Sequence, residues 1–508
     1  MRWSDGALRG LLGIQPHPVV FADAHLPLRV PDPTEAVVVG GGIAGICAAV
    51  VLAERGVRVT VLEAAGHLGG RLGSWPRRMA DGSTEMTEHG FHGFFRQYYT
   101  WRAILRRIDP ELGFLRPLER YPVITREWPS EEFGSLPGLP PANLLALLLR
   151  SPSIRLADLR RMDRVAAGWL LEFDRARTYE RFDRMSATEL LDRLGLPERP
   201  RTMLFDVFAH SFFNRSDELS AAEMIMMFHF YFLANPEGLG MDATEDDYGR
   251  CIWDPFAALL DRLGGQVRTG SRVDRLEPAP DGGWRAVLAG GQRADAPHLV
   301  LAADPAAVQE LVAASPGLTK SAPRLARQVG ALRTGAPYTV VRMWTDRPCR
   351  TERAQFTGVT REPTLDSVTL YSRIERGSIQ WARRTGGEVL ELHSYASPYG
   401  LDAHGAAERM WSELSGLWPE ARMMRVVDFE ARQEAKAPGF QPGSDAERPG
   451  VRTDAAGLVL AGDWVSLPFP TALMERAAAS GVLAANDVLA AAGARAEPVY
   501  SIRPRGLR

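Results

Sequence analysis

The sequence predicts an α/β protein built around a Rossmann-like, dinucleotide-binding sheet. Three observations predict it: an apolar strand that enters a glycine-rich loop, a helix and a second strand directly after that loop, and a strand–glycine–helix segment near the C-terminus. The chain has 508 residues, of which 45% are hydrophobic and 24% charged, and its formal net charge is −2. This composition excludes wholesale disorder and gives no global basic field, so we expect no nucleic-acid partner.

The first element is a strand that leads into the dinucleotide fingerprint. Residues 36–39 are fully apolar and are followed by Gly40, Gly42 and Gly45 in the spacing G-x-G-x-x-G. Gly40 permits the tight turn from strand to helix, and Gly42 lets the backbone approach a pyrophosphate. Gly45 lets the helix pack closely on the sheet. We therefore assign all three glycines to a nucleotide site.

A helix and a second strand complete this βαβ unit. The helix is predicted to begin at Ile43 and Ala44 and to end near residue 55, and its free N-terminal N–H groups favour a bound anion. Valines alternate with polar residues over 57–61, which predicts a strand that ends at Glu63. At that position we expect the Glu63 carboxylate to accept hydrogen bonds from ribose hydroxyls.

Patterns further along the chain alternate between helical and extended. Ser186 to Glu189 and Ser220 to Glu223 both match the capping-box pattern, and Asp254 with Pro255 predicts another helix start. Additional elements are predicted by apolar alternation and by glycine positions: strands over 267–276, 284–288, 298–303 and 457–461, and a helix over about 472–492.

The two nucleotide-binding pieces lie far apart in the sequence, so we expect discontinuous domains. The predicted division is an N-terminal extension (1–35), a cofactor domain (36–110, 250–304 and 455–495), a mixed α+β substrate domain interlaced with it (111–249 and 305–454), and a C-terminal tail (496–508).

The positions of the cysteines and of the apolar runs bear on metal binding, on the cellular compartment and on membrane association. Cys47, Cys251 and Cys349 are too far apart for a zinc or disulfide motif, so we expect no metal site and a cytoplasmic location. No apolar run is long enough to cross a membrane. Residues 144–149 are apolar and precede an arginine-rich stretch to 164; these residues could rest on the inner face of the cell membrane, or equally form a buried helix with a solvated basic turn.

Two further segments carry a resemblance to a family. Gly69, Gly70 and Arg71 follow Glu63 closely, and Gly462 with Asp463 precedes the C-terminal helix. This pairing resembles the flavin-containing amine oxidase and carotenoid desaturase superfamily, which implies FAD as cofactor and a glutathione-reductase-type binding domain.

The resemblance also implies residue roles. Gly69, Gly70 and Arg71 would lie against the FAD pyrophosphate, and the Gly462–Asp463 pair would bring its carboxylate to the ribityl chain. The backbone near Leu473 and Met474 would face the flavin pyrimidine, where a helix N-terminus stabilises the anionic reduced ring. Val273 would clamp the adenine by its backbone, and its alternative interpretation is a plain core valine.

The segment over residues 90–99 narrows the resemblance. Its sequence, GFHGFFRQYY, and later stretches such as 218–224, 227–233 and 253–255 resemble the carotene desaturases of the isorenieratene (phi-ring) synthase type. The resemblance implies desaturation of a β-ionone ring with a methyl shift, by hydride transfer to flavin N5. Thr100 and Trp101 depart from the family pattern, which leaves the exact substrate open.

The positions of the lysines help to distinguish an amine substrate from a hydrophobic polyene. Of 60 basic residues only Lys320 and Lys436 are lysines. Amine oxidases of the superfamily keep a lysine near flavin N5, shortly after the strand predicted at 298–303, whereas the next lysine here, Lys320, is too far along the chain. This favours a hydrophobic polyene over an amine. Amine oxidation and a redox-neutral polyene isomerase stay open as alternatives.

The candidate catalytic groups follow the cofactor segments. Glu88, His89 and His92 are candidate bases, and Arg96 could orient an electron acceptor or a polar group; each has an alternative role as a structural hydrogen-bonding residue. Two aromatic-rich stretches, 91–101 and 226–233, suit a tunnel for a hydrophobic substrate or an ordinary core. The electron acceptor, oxygen or a quinone, is not given by the sequence.

Overall fold

The computed structural model describes residues 16–134, 136–140, 142–280 and 282–506. The strands are, in chain order, β1 (His17–Val20), β2 (Glu35–Val39), β3 (Arg58–Leu62), β4 (Ser74–Arg78), β5 (Thr84–Glu88), β6 (Phe94–Phe95), β7 (Leu115–Pro117), β8 (Pro122–Ile124), β9 (Glu131–Glu132), β10 (Met241–Thr244), β11 (Gln266–Arg268), β12 (Val273–Pro278), β13 (Trp284–Leu288), β14 (Arg293–Ala296), β15 (His298–Leu301), β16 (Tyr338–Thr345), β17 (Phe356–Val359), β18 (Ser367–Leu370), β19 (Glu388–Ser394), β20 (Val426–Glu434), β21 (Leu458–Leu460) and β22 (Val499–Ser501).

The α-helices of the described residues are α1 (Ile43–Glu54), α2 (Tyr99–Leu105), α3 (Ala142–Arg150), α4 (Leu156–Arg161), α5 (Arg164–Leu171), α6 (Arg175–Phe182), α7 (Ala187–Leu194), α8 (Glu198–Arg201), α9 (Val207–His210), α10 (Ala221–Phe228), α11 (Asp254–Arg262), α12 (Pro305–Ala313), α13 (Pro316–Ser321), α14 (Pro323–Ala331), α15 (Arg376–Thr385), α16 (Ala403–Leu417) and α17 (Leu473–Ala491). None of these helices is long and apolar enough to cross a membrane.

A five-stranded parallel sheet forms the cofactor half of the fold. Its order is β11-β3-β2-β15-β21, and in-register pairs such as Val37 with Thr60 and Val300 with Val459 hold it together. The strands are apolar because helices cover both faces. Strand order reverses beside β2, which has β3 on one side and β15 on the other, and a crevice at the carboxyl ends of the strands forms at such a point.

The C-terminal segment completes this sheet, as predicted. Strand β15 pairs with β2 on one side and with β21 on the other, so the first and last nucleotide-binding pieces share one sheet. Helix α17 packs closely on α1: a Cβ at Gly481 would lie 2.1 Å from the Ala44 carbonyl oxygen. The α/β, Rossmann-like fold class is confirmed, and the exact domain boundaries stay a prediction.

A seven-stranded mixed sheet forms the other half. Its order is β20-β16-β19-β18-β17-β8-β9, and β17 with β8 is its parallel pair. Helix α16 covers one face through Ala406, Met410 and Leu414, which join the core cluster of β16 and β19. The opposite face, which carries Val340 and His393, is turned towards the cavity described below.

Local predictions differ from the structure in two places. Ser186 and Glu189 form the predicted capping box at α7, but Ser220 caps α10 without one, because the carboxylate of Glu223 is engaged by arginines instead. The strand predicted over 267–276 is two strands, β11 and β12, which are separated by a turn that contains Gly270 at φ 60°.

The termini pack on the body of the protein. Strand β1, within the predicted N-terminal extension, pairs antiparallel with β22 near the C-terminus, and His17 lies opposite Ser501. Residues 1–15 of that extension lie outside the described residues. The two predicted end segments therefore form one small sheet.

Candidate active site

A cavity of about 780 Å³ lies at the carboxyl ends of the parallel sheet. The loops that follow β2, β3, β15 and β21 line one end of the cavity, and the seven-stranded sheet together with aromatic side chains lines the other. The cavity thus joins the two halves of the fold.

The fingerprint loop forms the floor of the first end. Gly40, Gly42, Ile43 and Ala44 line the cavity, where α1 begins with no side-chain cap from the described residues. The first N–H groups of a helix need acceptors, so an uncapped N-terminus beside a cavity suits a bound anion.

The glycines of the fingerprint have different structural roles. A Cβ at Gly45 would lie 1.9 Å from the Gly40 carbonyl oxygen, so Gly45 serves helix–strand packing and does not line the cavity. Gly42 has φ −81°, which any residue adopts, and a Cβ there would have its nearest neighbour, the Gly69 oxygen, at 3.7 Å. The protein itself does not require glycine at this position, but a ligand lying on the loop would.

Glu63 and Val273 lie at the same end of the cavity. The Glu63 carboxylate accepts the N–H groups of Gly41 and Ala65, each at 2.7 Å. The Ser271 N–H donates to the Glu63 carbonyl oxygen at 2.7 Å, which brings the start of β12 and Val273 to this edge. The acid is fixed in place with capacity left for ribose hydroxyls.

Gly69, Gly70 and Arg71 meet the C-terminal Gly462–Asp463 pair across the cavity. Arg71 Nη2 lies 2.6 Å from Asp463 Oδ1, and the Gly69 N–H donates to the Gly41 carbonyl oxygen at 2.9 Å. The three residues of the first segment and the two of the C-terminal pair all line the cavity, whereas Gly41 does not. Segments from both ends of the chain therefore converge on one wall.

A second uncapped helix N-terminus reaches the cavity. Leu473 and Met474 line it at the start of α17, and the N-cap residue, Ala472, has no capping side chain. Leu473 has φ 49°, a left-handed conformation that is costly for leucine, and such strain concentrates at functional sites. Two helix N-termini, a glycine cradle and an arginine are features that fit a flavin dinucleotide.

Two of the four catalytic candidates line the cavity. His92 Nδ1 lies 2.8 Å from the Gly90 carbonyl oxygen, and burial lowers the pKa of His92 to about 3. His89 Nε2 lies 3.1 Å from Glu434 Oε2, and burial lowers its pKa as well, against the opposing effect of Glu434. Both imidazoles are neutral at pH 7.

Glu88 and Arg96 do not line the cavity. Glu88 is buried behind it, where it accepts from Arg342 Nη2 at 3.0 Å and from the Tyr248 N–H at 3.1 Å. Burial and the nearby Glu375 raise the pKa of Glu88 well above its usual value. The Arg96 side chain is 41% exposed and lies 3.7 Å from Asp242. Neither residue meets a ligand in the cavity directly, because the chain turns both side chains away from it.

The predicted aromatic stretches divide between wall and core. Phe91, Phe95 and Tyr98 line the cavity, whereas Trp101 is core. From the second stretch Tyr231 lines the cavity, and its hydroxyl lies 2.7 Å from that of Tyr98. Phe212 and Phe213, which belong to the segments that resemble the carotene desaturases, also line the cavity. The remaining aromatic wall comes from residues that the sequence did not indicate: Trp75, Tyr121, Phe208, Tyr338, Phe356 and Tyr395.

The seven-stranded sheet contributes polar groups that the sequence did not indicate. His393 on β19, and Arg432, Glu434 and Lys436 at the end of β20, line the cavity. Lys436 Nζ lies 3.1 Å from Glu434. The lack of a lysine after β15 therefore does not mean that the cavity lacks one. The alternation of β19 and β20 predicts strands but gives no indication of which face meets a ligand.

Comparisons with known proteins agree with this geometry. A family model for flavin containing amine oxidoreductases matches residues 43–489. The chain is 42% identical over 491 residues to the carotenoid phi-ring synthase of Streptomyces griseus, which covers 96% of this chain and 94% of that protein. It is 28% identical over 632 aligned positions to the carotenoid phi-ring synthase of Chlorobaculum tepidum, with coverage of 99% and 96%.

Solved structures share the fold at low sequence identity. Putrescine oxidase bound to putrescine superposes with a TM-score of 0.64 at 15% identity, over 90% of this chain and 99% of that one. The resemblance and the FAD cofactor expected from the sequence are confirmed. The chain therefore belongs to the flavin containing amine oxidoreductase family and is an FAD-dependent oxidoreductase.

Proposed function

We propose that the protein desaturates a hydrophobic polyene, a carotenoid end group, and converts its β-ring into an aromatic ring with a methyl shift. One observation carries the proposal: the cavity that begins at the two uncapped helix N-termini continues, without a break, into walls of aromatic side chains. The phi-ring synthases and phytoene desaturases among its relatives support this substrate class.

In this proposal FAD is held by the residues of the first end of the cavity. The pyrophosphate is held by Gly42, Arg71 and the N–H groups of Ile43 and Ala44. Glu63 and Val273 hold the adenosine, and Asp463, with Leu473 and Met474, holds the flavin side. When bound, FAD supplies a two-electron acceptor at flavin N5, which takes a hydride from a C–H bond.

The chain's own residues exclude water and take up the proton. A conjugated polyene spreads positive charge along its length, so little acid–base chemistry is required beyond a single proton acceptor. The aromatic faces of the walls favour such a cation, because their quadrupoles are negative above the ring. The bases within reach are the histidines that line the cavity, among them His89 and His92. Glu88 acts from behind the wall, through Arg342.

We also propose peripheral association with the inner face of the cell membrane. Helix α3 exposes one apolar side, with Leu149 81% and Leu145 55% exposed, while Asn143 on the other side is buried. Exposed arginines follow it at positions 155, 160, 161 and 164, which suits an anionic lipid surface. Asn143 donates to the Phe232 carbonyl oxygen, next to Tyr231 of the cavity wall, so lipid-soluble substrate would enter nearby.

The test uses purified FAD-loaded protein and β-carotene in vesicles, under oxygen and separately under argon with a soluble quinone. The expected result is a changed absorbance spectrum and a product that has lost four hydrogen atoms for each aromatised ring. A product of unchanged mass would indicate a redox-neutral isomerase. No carotenoid product, together with peroxide release on amines, would overturn the proposal in favour of an amine oxidase.

A further inference from the structure

Four histidines line the cavity. His67 lies between Glu63 and Gly69, in the segment assigned to the cofactor, and its Nδ1 faces the Leu68 carbonyl oxygen at 3.1 Å. The other three histidines have different partners. His92 Nδ1 faces the Gly90 carbonyl oxygen at 2.8 Å, and His89 Nε2 faces Glu434 at 3.1 Å. His393 Nε2 lies 2.6 Å from Glu391 Oε1, the shortest of the three contacts. The partner decides how well each imidazole can carry the positive charge of an added proton.

His92 and His89 are poorly equipped to hold a proton. The Nδ1–H of His92 donates to a neutral carbonyl, so no anion compensates an imidazolium, and burial accordingly lowers the pKa of His92 to about 3. The carboxylate beside His89 already accepts from the ammonium of Lys436 at 3.1 Å. The negative charge of Glu434 is therefore shared between His89 and Lys436, and it stabilises a proton on His89 less.

His393 is paired with a fully buried carboxylate at the shortest of these distances. Glu391 is fully buried, accepts the Phe91 N–H at 2.7 Å, and lies 3.1 Å from Arg342 Nε. Burial alone would raise the pKa of Glu391, but the Arg342 guanidinium and His393 lower it to about 2. Because Glu391 is an anion that only accepts, the neutral imidazole of His393 carries its hydrogen on Nε2 and has its lone pair on Nδ1.

His393 lines the cavity, and Nδ1 is the ring nitrogen that Glu391 does not engage. Nδ1 has no hydrogen-bond partner within the described part of the chain, and the ring lies edge to face against Tyr395, another residue of the wall, with centroids 5.4 Å apart. Nε2 is directed to the Glu391 carboxylate. Nδ1 is therefore the ring nitrogen that remains to accept a proton from a ligand in the cavity.

We infer that His393 is the general base of the desaturation, with Glu391 as its positioning residue. The inference rests on the proposed function. After a hydride has left the ring to the flavin, a neighbouring C–H bond breaks: its electron pair forms the new C=C bond, and its proton bonds to Nδ1 of His393. The resulting imidazolium is stabilised through Nε2–H by the Glu391 carboxylate.

A buried charge cluster holds Glu391 in place. Arg342 donates to Glu391, donates to Glu88 at 3.0 Å, lies 3.6 Å from Glu375 and stacks over the Tyr371 ring at 3.8 Å. One guanidinium therefore serves three carboxylates, and it fixes the acid that orients His393. In this assignment Glu88, which the sequence suggested as a base, is three contacts away from His393, through Arg342 and Glu391.

The first test compares His393→Gln with His404→Gln, a control at a histidine that is 67% exposed on α16. We expect unchanged FAD content and KM in both variants. We expect kcat to fall about 10²–10⁴-fold in His393→Gln alone. Added imidazole should restore part of the activity of His393→Ala. Glu391→Gln should lower kcat with KM unchanged, and Glu391→Asp should recover part of the loss.

A second measurement is independent of turnover. Diethyl pyrocarbonate modifies neutral imidazoles that have a free nitrogen, and peptide mass spectrometry locates the adduct. We expect adducts on His393 and on His404, and we expect bound β-carotene to protect only His393. Protection of neither residue, or an adduct on His404 alone, would contradict a basic nitrogen of His393 in the substrate space.

The outcomes separate the two proposals. Wild-type protein without activity on carotenoids would overturn the proposed function and with it the role of His393. An active wild type whose His393→Gln variant keeps full kcat would overturn the role of His393 alone. A variant that lacks FAD or melts early is replaced by His393→Asn, and its kcat at full FAD loading is read in the same way.

Discussion

Arg71 and Asp463 come from opposite ends of the chain, and Arg71 Nη2 lies 2.6 Å from Asp463 Oδ1 at the wall of the cavity. Arg71 follows the second strand of the parallel sheet, whereas Asp463 precedes α17, the helix whose N-terminus faces the same space. The ion pair therefore joins the two segments that would hold the cofactor. It is also largely shielded from water, with side-chain exposures of 28% and 7%.

Removing this ion pair should weaken FAD binding. In Arg71→Ala the buried Asp463 carboxylate loses its partner and the pyrophosphate loses a cation, so we expect the Kd for FAD to rise at least about tenfold. Isothermal titration of apo-protein with FAD measures it. The matched control is Arg58→Ala, which removes an ion pair to Glu35 with both side chains exposed and should leave the Kd unchanged. Equal Kd values in the two variants would contradict the role of Arg71.

Substitutions of Gly42 and Gly45 should have different effects on flavin binding and on stability. Gly42→Ala adds a Cβ whose nearest neighbour is 3.7 Å away, so the apo-protein should melt within about 2 °C of wild-type apo-protein yet retain little flavin absorbance. Gly45→Ala forces a Cβ to within 1.9 Å of the Gly40 oxygen, so the apo-protein itself should lose about 1–3 kcal/mol. Thermal melts and the flavin-to-protein absorbance ratio measure both. Full flavin retention in Gly42→Ala would contradict the assignment of this loop to the FAD pyrophosphate.

The hydroxyl pair of Tyr98 and Tyr231 should show non-additive energetics. The oxygens lie 2.7 Å apart, and both side chains are buried. Either single change to Phe leaves one hydroxyl without its partner and should cost about 1–2 kcal/mol, whereas the double change removes both and should cost less than the sum of the two. Urea unfolding of the four proteins gives the cycle. Additive losses would mean that the hydroxyls do not depend on each other.

Glu475 should make stability depend on pH. Its carboxylate accepts the N–H groups of Thr100 and Trp101 at 2.8 and 3.0 Å, at the start of α2. Burial raises its pKa from 4.5 to about 8, so the folded state binds this proton more tightly than the unfolded chain. The stabilisation is therefore complete below about pH 4.5 and is lost as the pH rises through about 8.

Glu475→Gln removes this titration and keeps an acceptor oxygen. The free energy of unfolding of the variant, relative to wild type, should increase between about pH 5 and pH 8 by a few kcal/mol. Urea unfolding at each pH measures the difference. A difference that stays constant over this range would show that Glu475 does not titrate there. Glu54→Gln serves as a second, half-buried carboxyl whose raised pKa should give a smaller change in the same direction.

Helix α3 should govern membrane binding. In co-sedimentation with anionic phosphatidylglycerol vesicles, Leu145→Ser with Leu149→Ser should reduce bound protein several-fold, because two exposed leucines no longer enter the interface. The control is Met423→Ser, at an apolar side chain that is 68% exposed elsewhere on the surface. Binding should also fall with added salt and in phosphatidylcholine vesicles. Unchanged sedimentation of the leucine variant would contradict the proposed surface.

Much of the cofactor half could be predicted from local patterns. The spacing of Gly40, Gly42 and Gly45 determines a turn and a helix start, because each glycine answers a local steric demand. The helix expected over about 472–492 is α17 to within a residue at each end. The capping box at Ser220 failed because Glu223 forms ion pairs with Arg476 and Arg448, which are remote in sequence.

The residues that line the substrate half of the cavity could not be predicted from local patterns. His393, Lys436 and most of the aromatic wall come from strands and helices whose patterns are those of any buried sheet or core, so nothing local separates a lining residue from a packed one. Glu88 shows the converse: the sequence brought it next to His89, but the alternation of β5 turns its side chain behind the wall, to Arg342.

The sequence by itself determined the α/β class, the FAD loop, the helices that face it and the family, because these rest on short-range spacing and on glycine sterics. Only the tertiary structure decided which side chains share the cavity, that Glu391 backs His393, and that Arg71 meets Asp463. Arg71 and Asp463 come from separate loops, whereas Glu391 and His393 lie two residues apart on β19. In both cases the direction of a side chain relative to a cavity exists only once the sheets have packed against each other.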